Sequence, residues 1–212
     1  MWAYIKDNKI EQIYQRPKSI MLNNVRYPSN MFTKYTDAEK EAIGIYPVED
    51  SGTKGDDNFE YTSQATYTWS ASNKKVTTSY TITPKSLIDV EVKDDSGNNI
   101  LDYKGNKTYT YGLKTLAKNK AKISANQFIA RFNWLVERSI YDSSKAIPNA
   151  IKTYVAAIKT DCAEIETAID NASDMTAFKA LYQDTYNSDG SVKEIARINR
   201  WSDDYDVQTY IR

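Results

Sequence analysis

Residues 148–169 read PNAIKTYVAAIKTDCAEIETAI, and the fold turns on this stretch. Ile151, Val155, Ile158, Cys162, Ile165 and Ile169 follow one another at steps of four, three, four, three and four. That is a heptad seam, so the residues form a helix whose apolar stripe must lie against another element. Pro148 suits a first helical turn, where its missing amide costs nothing. Upstream, Leu113, Leu116, Ala117, Ala121, Ala125, Phe128, Phe132, Leu135 and Val136 mark a second stripe. The spacing predicts one long helix over 113–140, about 42 Å at roughly 1.5 Å per residue. The linker 141–147 is short enough to set the two helices antiparallel. Ser173 is placed to cap a third helix bearing Met175, Phe178, Leu181 and Tyr182.

Before these helices the period is two. Trp2 to Lys6 and Ile10 to Tyr14 form a hairpin about a polar turn at Asp7-Asn8-Lys9, and Arg16-Pro17 ends the second strand. Ile20 to Pro28 suggests another short hairpin about Asn23-Asn24. Thr36-Asp37-Ala38-Glu39 is a capping box: the Thr36 hydroxyl accepts the Glu39 amide while the Glu39 carboxylate reaches back to the Thr36 amide. The helix it starts stops at Gly44, and Ile45-Tyr46-Pro47-Val48 leaves extended. Residues 49–58 contain no apolar side chain and two glycines, which reads as a mobile loop. Residues 65–69 and 76–82 make a hairpin about a turn at 71–74; residues 87–92 add a strand, and 94–99 turn the chain again. A three- or four-stranded antiparallel sheet is expected.

The fold class expected is α+β: a small antiparallel β region followed by an antiparallel helical hairpin, with a short third helix and an extended C-terminal arm. The segments are 1–48 (β-hairpin unit with a capped helix), 49–112 (antiparallel β region), 113–183 (helical hairpin) and 184–212 (arm). The arm scatters Ile195, Ile198, Trp201, Tyr205, Val207, Tyr210 and Ile211 among charges. It either folds back on its own sheet or docks on a neighbouring copy.

Composition narrows the chemistry. The 212 residues include no histidine, one cysteine and 17 tyrosines, with 28 basic side chains balancing 28 acidic ones. Without histidine the commonest proton shuttle and metal ligand is missing, and no global field steers the chain to nucleic acid or an anionic membrane. The tyrosines either line strands or face partner surfaces. Residues 1–7 (MWAYIKD) lack the basic start and apolar run of a signal peptide, and no 18-residue apolar stretch predicts a membrane span. A lone Cys162 cannot form an internal disulfide; its place on the heptad seam makes it a core thiol. Asp56-Asp57, Asp94-Asp95 and Asp203-Asp204 read as solvated turn or tail acids, since none has the oxygen-ligand pattern of a calcium loop. Lys114, Lys118, Lys120 and Lys122 read as the solvated face of the long helix. No phosphate cradle, nucleophile elbow or Cys-x-x-Cys is present. Hence no catalytic residue, cofactor-binding residue or metal ligand is assigned. A glycosidase working through two carboxylates is the enzyme alternative, and no pattern shows two carboxylates converging.

Two stretches resemble a known group. Residues 2–48, with Tyr4 to Ile10, Arg16 to Ile20, Tyr27-Pro28, Phe32, the capping box and Ile43 to Val48, resemble the opening of small tailed-bacteriophage proteins. Phe132 to Arg138, Ala146 to Ile151 and Tyr154 to Ile158 resemble the helical region of phage tail-fibre and fibre-assembly proteins. The chain lacks a long repetitive shaft and adds the β region 59–92, which argues against a free-standing receptor-binding fibre. The resemblance implies a non-enzymatic virion structural protein, synthesised in the host cytoplasm and placed in the tail rather than the capsid. Its implied partners are other virion proteins and copies of itself, without membrane insertion or specific nucleic acid, and contact with a host surface stays open. Capsid decoration and fibre-assembly chaperoning are the alternative roles. The residues expected to meet a partner are Trp2, Tyr4, Trp201, Tyr205 and Tyr210.

Overall fold

The computed structural model describes residues 1–211. The chain is α+β, 36% helical and 24% strand, which is the mixed class expected. It forms two compact units, one from Met1 to Pro84 and one from Lys85 onward.

In the first unit the elements are β1 (Trp2–Lys6), β2 (Lys9–Tyr14), β3 (Ile20–Leu22), β4 (Val25–Tyr27), α1 (Met31–Lys34), α2 (Asp37–Ala42), β5 (Ile45–Glu49), β6 (Glu60–Thr62), β7 (Thr66–Ser70), β8 (Lys75–Ser79) and β9 (Ile82–Pro84). Asp7 and Asn8 between β1 and β2, and Asn23 and Asn24 between β3 and β4, all have positive φ, from 48° to 62°. Paired left-handed residues are what a two-residue hairpin matching strand twist requires, and Asp and Asn tolerate them best. The capping box forms as read: the Glu39 amide donates to Thr36 Oγ1 at 3.3 Å and the Thr36 amide donates to Glu39 Oε2 at 2.8 Å. These bonds hold the Glu39 carboxyl below its ordinary range.

The main sheet has the order β2-β1-β5-β8-β7. The expected antiparallel sheet is corrected here, because β5 and β8 pair in parallel, with Val48 opposite Val76. A parallel pair needs a long crossover, and the chain between β5 and β8 supplies it through β6 and β7. The two edge strands β2 and β7 come close, and Trp69 Nε1 on β7 donates to Asn8 Oδ1 at the β1–β2 turn, 2.9 Å away, so the sheet curls toward closure. Inside the curl Ala3, Ile5, Val48 and Val76 pack with Tyr46, Tyr67 and Trp69. On the other side Tyr14, Ile20, Leu22, Met31, Phe32 and Ile45 pack with Trp2 and Tyr4. Both faces of β1 are therefore covered, which explains why Trp2-Ala3-Tyr4-Ile5 has no polar alternation.

The loop after β5 is tied rather than free. Asp50 Oδ1 accepts from Thr78 Oγ1 at 2.7 Å and from Tyr80 Oη at 3.0 Å, which lowers its carboxyl. At Gly52 a Cβ would stand 2.6 Å from the Tyr80 ring, so only glycine lets the loop lie that close. The loop's polar sequence signals poor burial, and side-chain hydrogen bonds order it instead.

The second unit holds β10 (Val90–Glu91), β11 (Tyr109–Thr110), α3 (Leu113–Ala130), α4 (Asn133–Tyr141), α5 (Asn149–Asn171), α6 (Met175–Ala180), β12 (Thr185–Tyr186) and β13 (Val192–Glu194), followed by two 3-10 turns at Arg197–Asn199 and Tyr205–Tyr210. The strand expected over 87–92 shrinks to two residues. The helix expected over 113–140 is broken: Phe132 donates to Ile129 O and Leu135 to Phe132 O, a tighter i to i−3 pattern at the α3–α4 junction. The break lies where Arg131 and Trp134 bond to the C-terminal segment. The third helix is capped one residue later than expected, by Asp174, whose Oδ1 accepts the Ala177 amide at 2.8 Å.

Helices α3 and α5 pack with opposed order, since Lys118 pairs with Asp170 and Lys122 with Glu166. Ala117, Ala121 and Ala125, all buried, form the α3 side of the contact, and their small side chains allow close approach. On α5 Ile151, Tyr154, Ile158, Ile165 and Ile169 are buried, while Val155 and Cys162 are only partly so. The seam thus swings toward Tyr154, a residue the heptad reading skips. Lys114 also donates to the Asp170 carbonyl, 2.9 Å away, so three of the four expected solvated lysines brace α5.

Candidate partner-binding surfaces

Trp2 and Tyr4 lie side by side on one face of β1, with their rings directed into packing. The Trp2 ring centroid is 4.8 Å from Phe32, and Tyr4 supports the same cluster. Gly44, at φ 81°, lies against Tyr4: a Cβ there would fall 2.7 Å from Ile5 O and 3.1 Å from the Tyr4 ring. Trp2 also reaches the wall of a cavity of about 300 Å³ bounded by Asp37, Lys40, Glu41, Asn73 and Lys74. Its charges are mutually paired, Lys40 with Asp37 at 2.9 Å and Lys74 with Glu41 at 2.7 Å, and the Glu41 pairing raises the Lys74 ammonium. Trp2 and Tyr4 are first of all core residues, half-covered by their own unit.

The C-terminal segment departs from the extended arm expected. It turns back onto α3, α4 and α5: Val207 is 1% exposed and the Trp201 ring packs tilted against Phe128, centroids 5.4 Å apart. Four polar ties fix it. Arg131 Nη1 pairs with Asp204 at 2.9 Å, Trp134 Nε1 donates to the Tyr210 carbonyl at 3.2 Å, the Ser202 amide donates to Asp161 at 2.6 Å, and Arg197 pairs with Glu164 at 2.6 Å. The physical reason is that α5 and α3 leave Phe128, Tyr154 and Ile158 open on that side, and Trp201, Val207 and Tyr210 cover them. Burial there raises the Tyr154 phenol, with the Asp204 carboxylate adding to it. Of the three tail residues proposed from sequence, Trp201 and Tyr210 are half-buried in this contact, and Tyr205 alone stands out at 79% exposure.

Cys162 lines a groove of about 360 Å³ between α3 and α5 with Lys122, Lys159 and Glu166. Burial pushes its thiol up and Glu166 adds to this, so it stays protonated and unreactive. Among the described residues no group of three or more His, Cys, Asp or Glu side chains is placed to hold a metal ion. No helix among them is long and apolar enough to cross a membrane.

The surface that the sequence reading missed spans residues 85–111. It contains an eight-residue repeat, Asp94-x-x-Gly97-Asn98 and Asp102-x-x-Gly105-Asn106. Each copy builds the same turn. Asp94 Oδ1 accepts the amides of Ser96 and Asn98, both at 2.9 Å, and Asp94 Oδ2 accepts Asn98 Nδ2 at 3.3 Å. Asp102 repeats this with Lys104 at 2.8 Å and Asn106 at 2.9 and 3.2 Å. Gly97 and Gly105 take φ of 84° and 83°, closing each turn where a side chain would be strained. The three chain passes then close a ring: Val92 donates to Thr108 O at 3.0 Å, Ile100 to Val92 O at 2.9 Å, and Thr108 to Ile100 O at 2.9 Å. Residues 92, 100 and 108 are one repeat apart, so three short ribbons radiate from a pseudo-threefold hydrogen-bonded centre. The third ribbon is β10–β11.

This module is anchored at the start of α3. Leu113 and Lys114 donate to the carbonyls of Ser86 and Leu87, at 2.9 and 3.1 Å, so backbone from the bend before β10 satisfies helix amides in place of a capping side chain. Gly112 makes the crossing possible, since a Cβ there would lie 2.4 Å from the Ile88 carbonyl carbon. The signal was available as Asp-x-x-Gly-Asn at an interval of eight.

Comparison with protein-family models, with curated proteins and with solved structures finds no match.

Proposed function

We propose that this chain is a non-enzymatic structural component of a tailed-bacteriophage virion, tail-associated as a fibre, fibre-attachment or baseplate element, and acting through protein–protein contacts. The observation that carries the reading is where apolar surface is left uncovered. Among the described residues, 17 of the 22 large apolar side chains exposed to solvent belong to the unit from Lys85 onward, although that unit has a complete core in Leu135, Ile158, Ile165 and Ile169. Apolar side chains left in water beside a satisfied core support a role in which this unit meets another protein. The resemblance of residues 2–48 and 132–158 to phage tail proteins supplies the setting. The antiparallel helical pair, with its short third helix and folded C-terminal segment, is the scaffold, and Tyr205 with the ribbons offers the contacts.

The absence of histidine and the engagement of Asp50, Asp94, Asp102 and Asp174 in local hydrogen bonds support the non-enzymatic part. Mass spectrometry of purified virions, fractionated into heads and tails and calibrated for copy number, is the test. A few to tens of copies in the tail fraction is the expected outcome. Recovery with heads in hundreds of copies means capsid decoration, and absence from both means an assembly chaperone. Cleavage of a host glycan that is lost on exchanging a carboxylate would overturn the non-enzymatic reading.

A further inference from the structure

We infer that the hairpin of α3–α4 with α5 has two packings, and that the docked C-terminal segment holds it in the broken one. When residues 201–210 leave, α3 and α4 join into one straight helix over 113–141 that packs on α5 through the full heptad seam. The two packings stand independently of the virion reading.

The break has no cause in its own sequence. Arg131 keeps helical dihedrals (φ −55°, ψ −23°), and Phe132 departs from them, at φ −108° and ψ 5°. Sharp helix breaks come almost always from proline, a glycine–serine pair, a π-bulge or an inserted side chain, and the junction 130–133 reads Ala-Arg-Phe-Asn. What meets the junction is the C-terminal segment. Arg131 Nη1 pairs with Asp204 and Trp134 Nε1 donates to the Tyr210 carbonyl, so one tie lies on each side of Phe132. Between the two tied residues of the segment, Val207, 1% exposed, enters the core cluster of Phe132, Leu135, Tyr154 and Ile158. A run of i to i−3 bonds in the middle of a helical stretch marks a hinge or a sequence under strain.

The partner helix is built for the straight form. α5 runs unbroken for 23 residues, about 35 Å at roughly 1.5 Å per residue. The ion pairs of Lys118 with Asp170 and Lys122 with Glu166 set one register, and carried on at the same step it brings Asn149, the first residue of α5, level with Ser139. α5 is therefore long enough to accompany a straight helix past the break. The same register sets Cys162 level with Asn126 and Val155 level with Asn133, on either side of Phe132, and these are the two heptad positions left only partly buried. Across the junction Ala125, Phe128, Phe132 and Leu135 keep steps of three, four and three. Both helices thus carry a seam that the docked segment leaves half-used, and two discrete packings of one sequence make a switch.

Cys162 is the only cysteine in the chain and serves as the probe. Two variants of the full chain release the segment. Val207→Asp sets a charge in the core cluster, and Asp204→Arg replaces the pair with Arg131 by two like charges at partly exposed positions. Release is read from the amides of 201–210 taking random-coil NMR shifts. The Cα shifts from Arg131 to Asn133 should then become continuously helical, and maleimide labelling of Cys162 should slow by at least about tenfold, because a buried thiol reacts only after local opening. Simple loss of packing predicts the reverse: faster labelling and weaker helical shifts over 131–135. That reverse result in the milder Asp204→Arg variant, or Phe132 shifts that stay at their wild-type values after release, overturns the inference. A segment that stays docked in both variants overturns it as well, since Val207 and Asp204 are then not what holds it.

Discussion

The helices and the ribbon module belong to one unit and are ordered by opposite means. Along α5 Ile151, Tyr154, Ile158, Ile165 and Ile169 leave solvent, with Ile158, Ile165 and Ile169 fully buried, so the helix is held by desolvation and needs no unusual backbone. From 85 to 111 no residue is fully buried, and order comes from turns closed by Asp carboxylates, glycines at positive φ and a ring of three backbone bonds. The first strategy sums many small nonspecific gains and tolerates much surface change. The second depends on a few groups that have no substitutes, and its strength is local.

The contrast breaks most sharply in the core. Ile158→Ala removes three carbons from a site with no exposure and is expected to cost about 2–5 kcal/mol, read as a lowered denaturant midpoint of the second unit. If the loss stays below about 1 kcal/mol, α5 is not held by burial in the way described. Gly112→Ala comes next. Its new methyl would meet the backbone of Leu87 and Ile88 at 2.4–2.6 Å, where no flexible side chain can yield, so the crossing at the start of α3 must open. About 1–3 kcal/mol of overpacking is expected, with faster amide exchange at Leu113 and Lys114 and little change at Ile158. Exchange that rises equally along α5 would mean that the two regions are one cooperative element.

Legibility in the sequence follows the same division. The stripe of α5, the two N-terminal hairpins and the capping box at Thr36 could be read because periodicity and turn chemistry act over a few residues. The parallel pairing of β5 with β8 could not, since it depends on contacts between strands far apart in sequence with no local signature. The helix break at Phe132 was hidden because Phe128, Phe132 and Leu135 keep helical spacing across it; the C-terminal segment that bonds Arg131 and Trp134 lies about 70 residues on. That segment looked like an arm because its apolar residues follow no period, and they follow none because they cover an irregular patch from 3-10 turns. Trp2 and Tyr4 look in sequence like aromatic contacts for a partner, and both sit in a strand covered on its two faces. The eight-residue repeat was legible in principle, but its Asp, Gly and Asn resemble ordinary turn residues until the interval is noticed.

Thr36→Ala sharpens the comparison at smaller scale, because α2 buries no residue and its start relies on the capping box. A loss of about 1 kcal/mol in the first unit is expected, within the usual range for an N-cap. Equal stability of wild type and variant would show that the box adds nothing.

The smallest effect is a titration, and it isolates the ribbon strategy from everything else. Asp94 and Asp102 both have carboxyls held below the ordinary range, first by the backbone amides of Asn98 and Asn106 and then by those residues' side chains. A carboxyl lowered by folding contributes stability above its unfolded value, about 4, and that contribution is lost as pH falls through the folded value. Acidification below about pH 4 should therefore loosen the ribbon turns before the helices, whose core contains no carboxylate. The carboxylates are exposed and the effect is local, so the global unfolding transition should move little. Amide exchange or resolved NMR shifts at Ser96, Asn98, Lys104 and Asn106 are the measurement, compared with Ala121 and Ile165. Asp94→Asn with Asp102→Asn should flatten the pH dependence at those four amides while leaving the helical signals as they were. If the turns stay closed from pH 6 to pH 2, the Asp-centred bonds are not what holds them, and the ring through Val92, Ile100 and Thr108 must suffice alone.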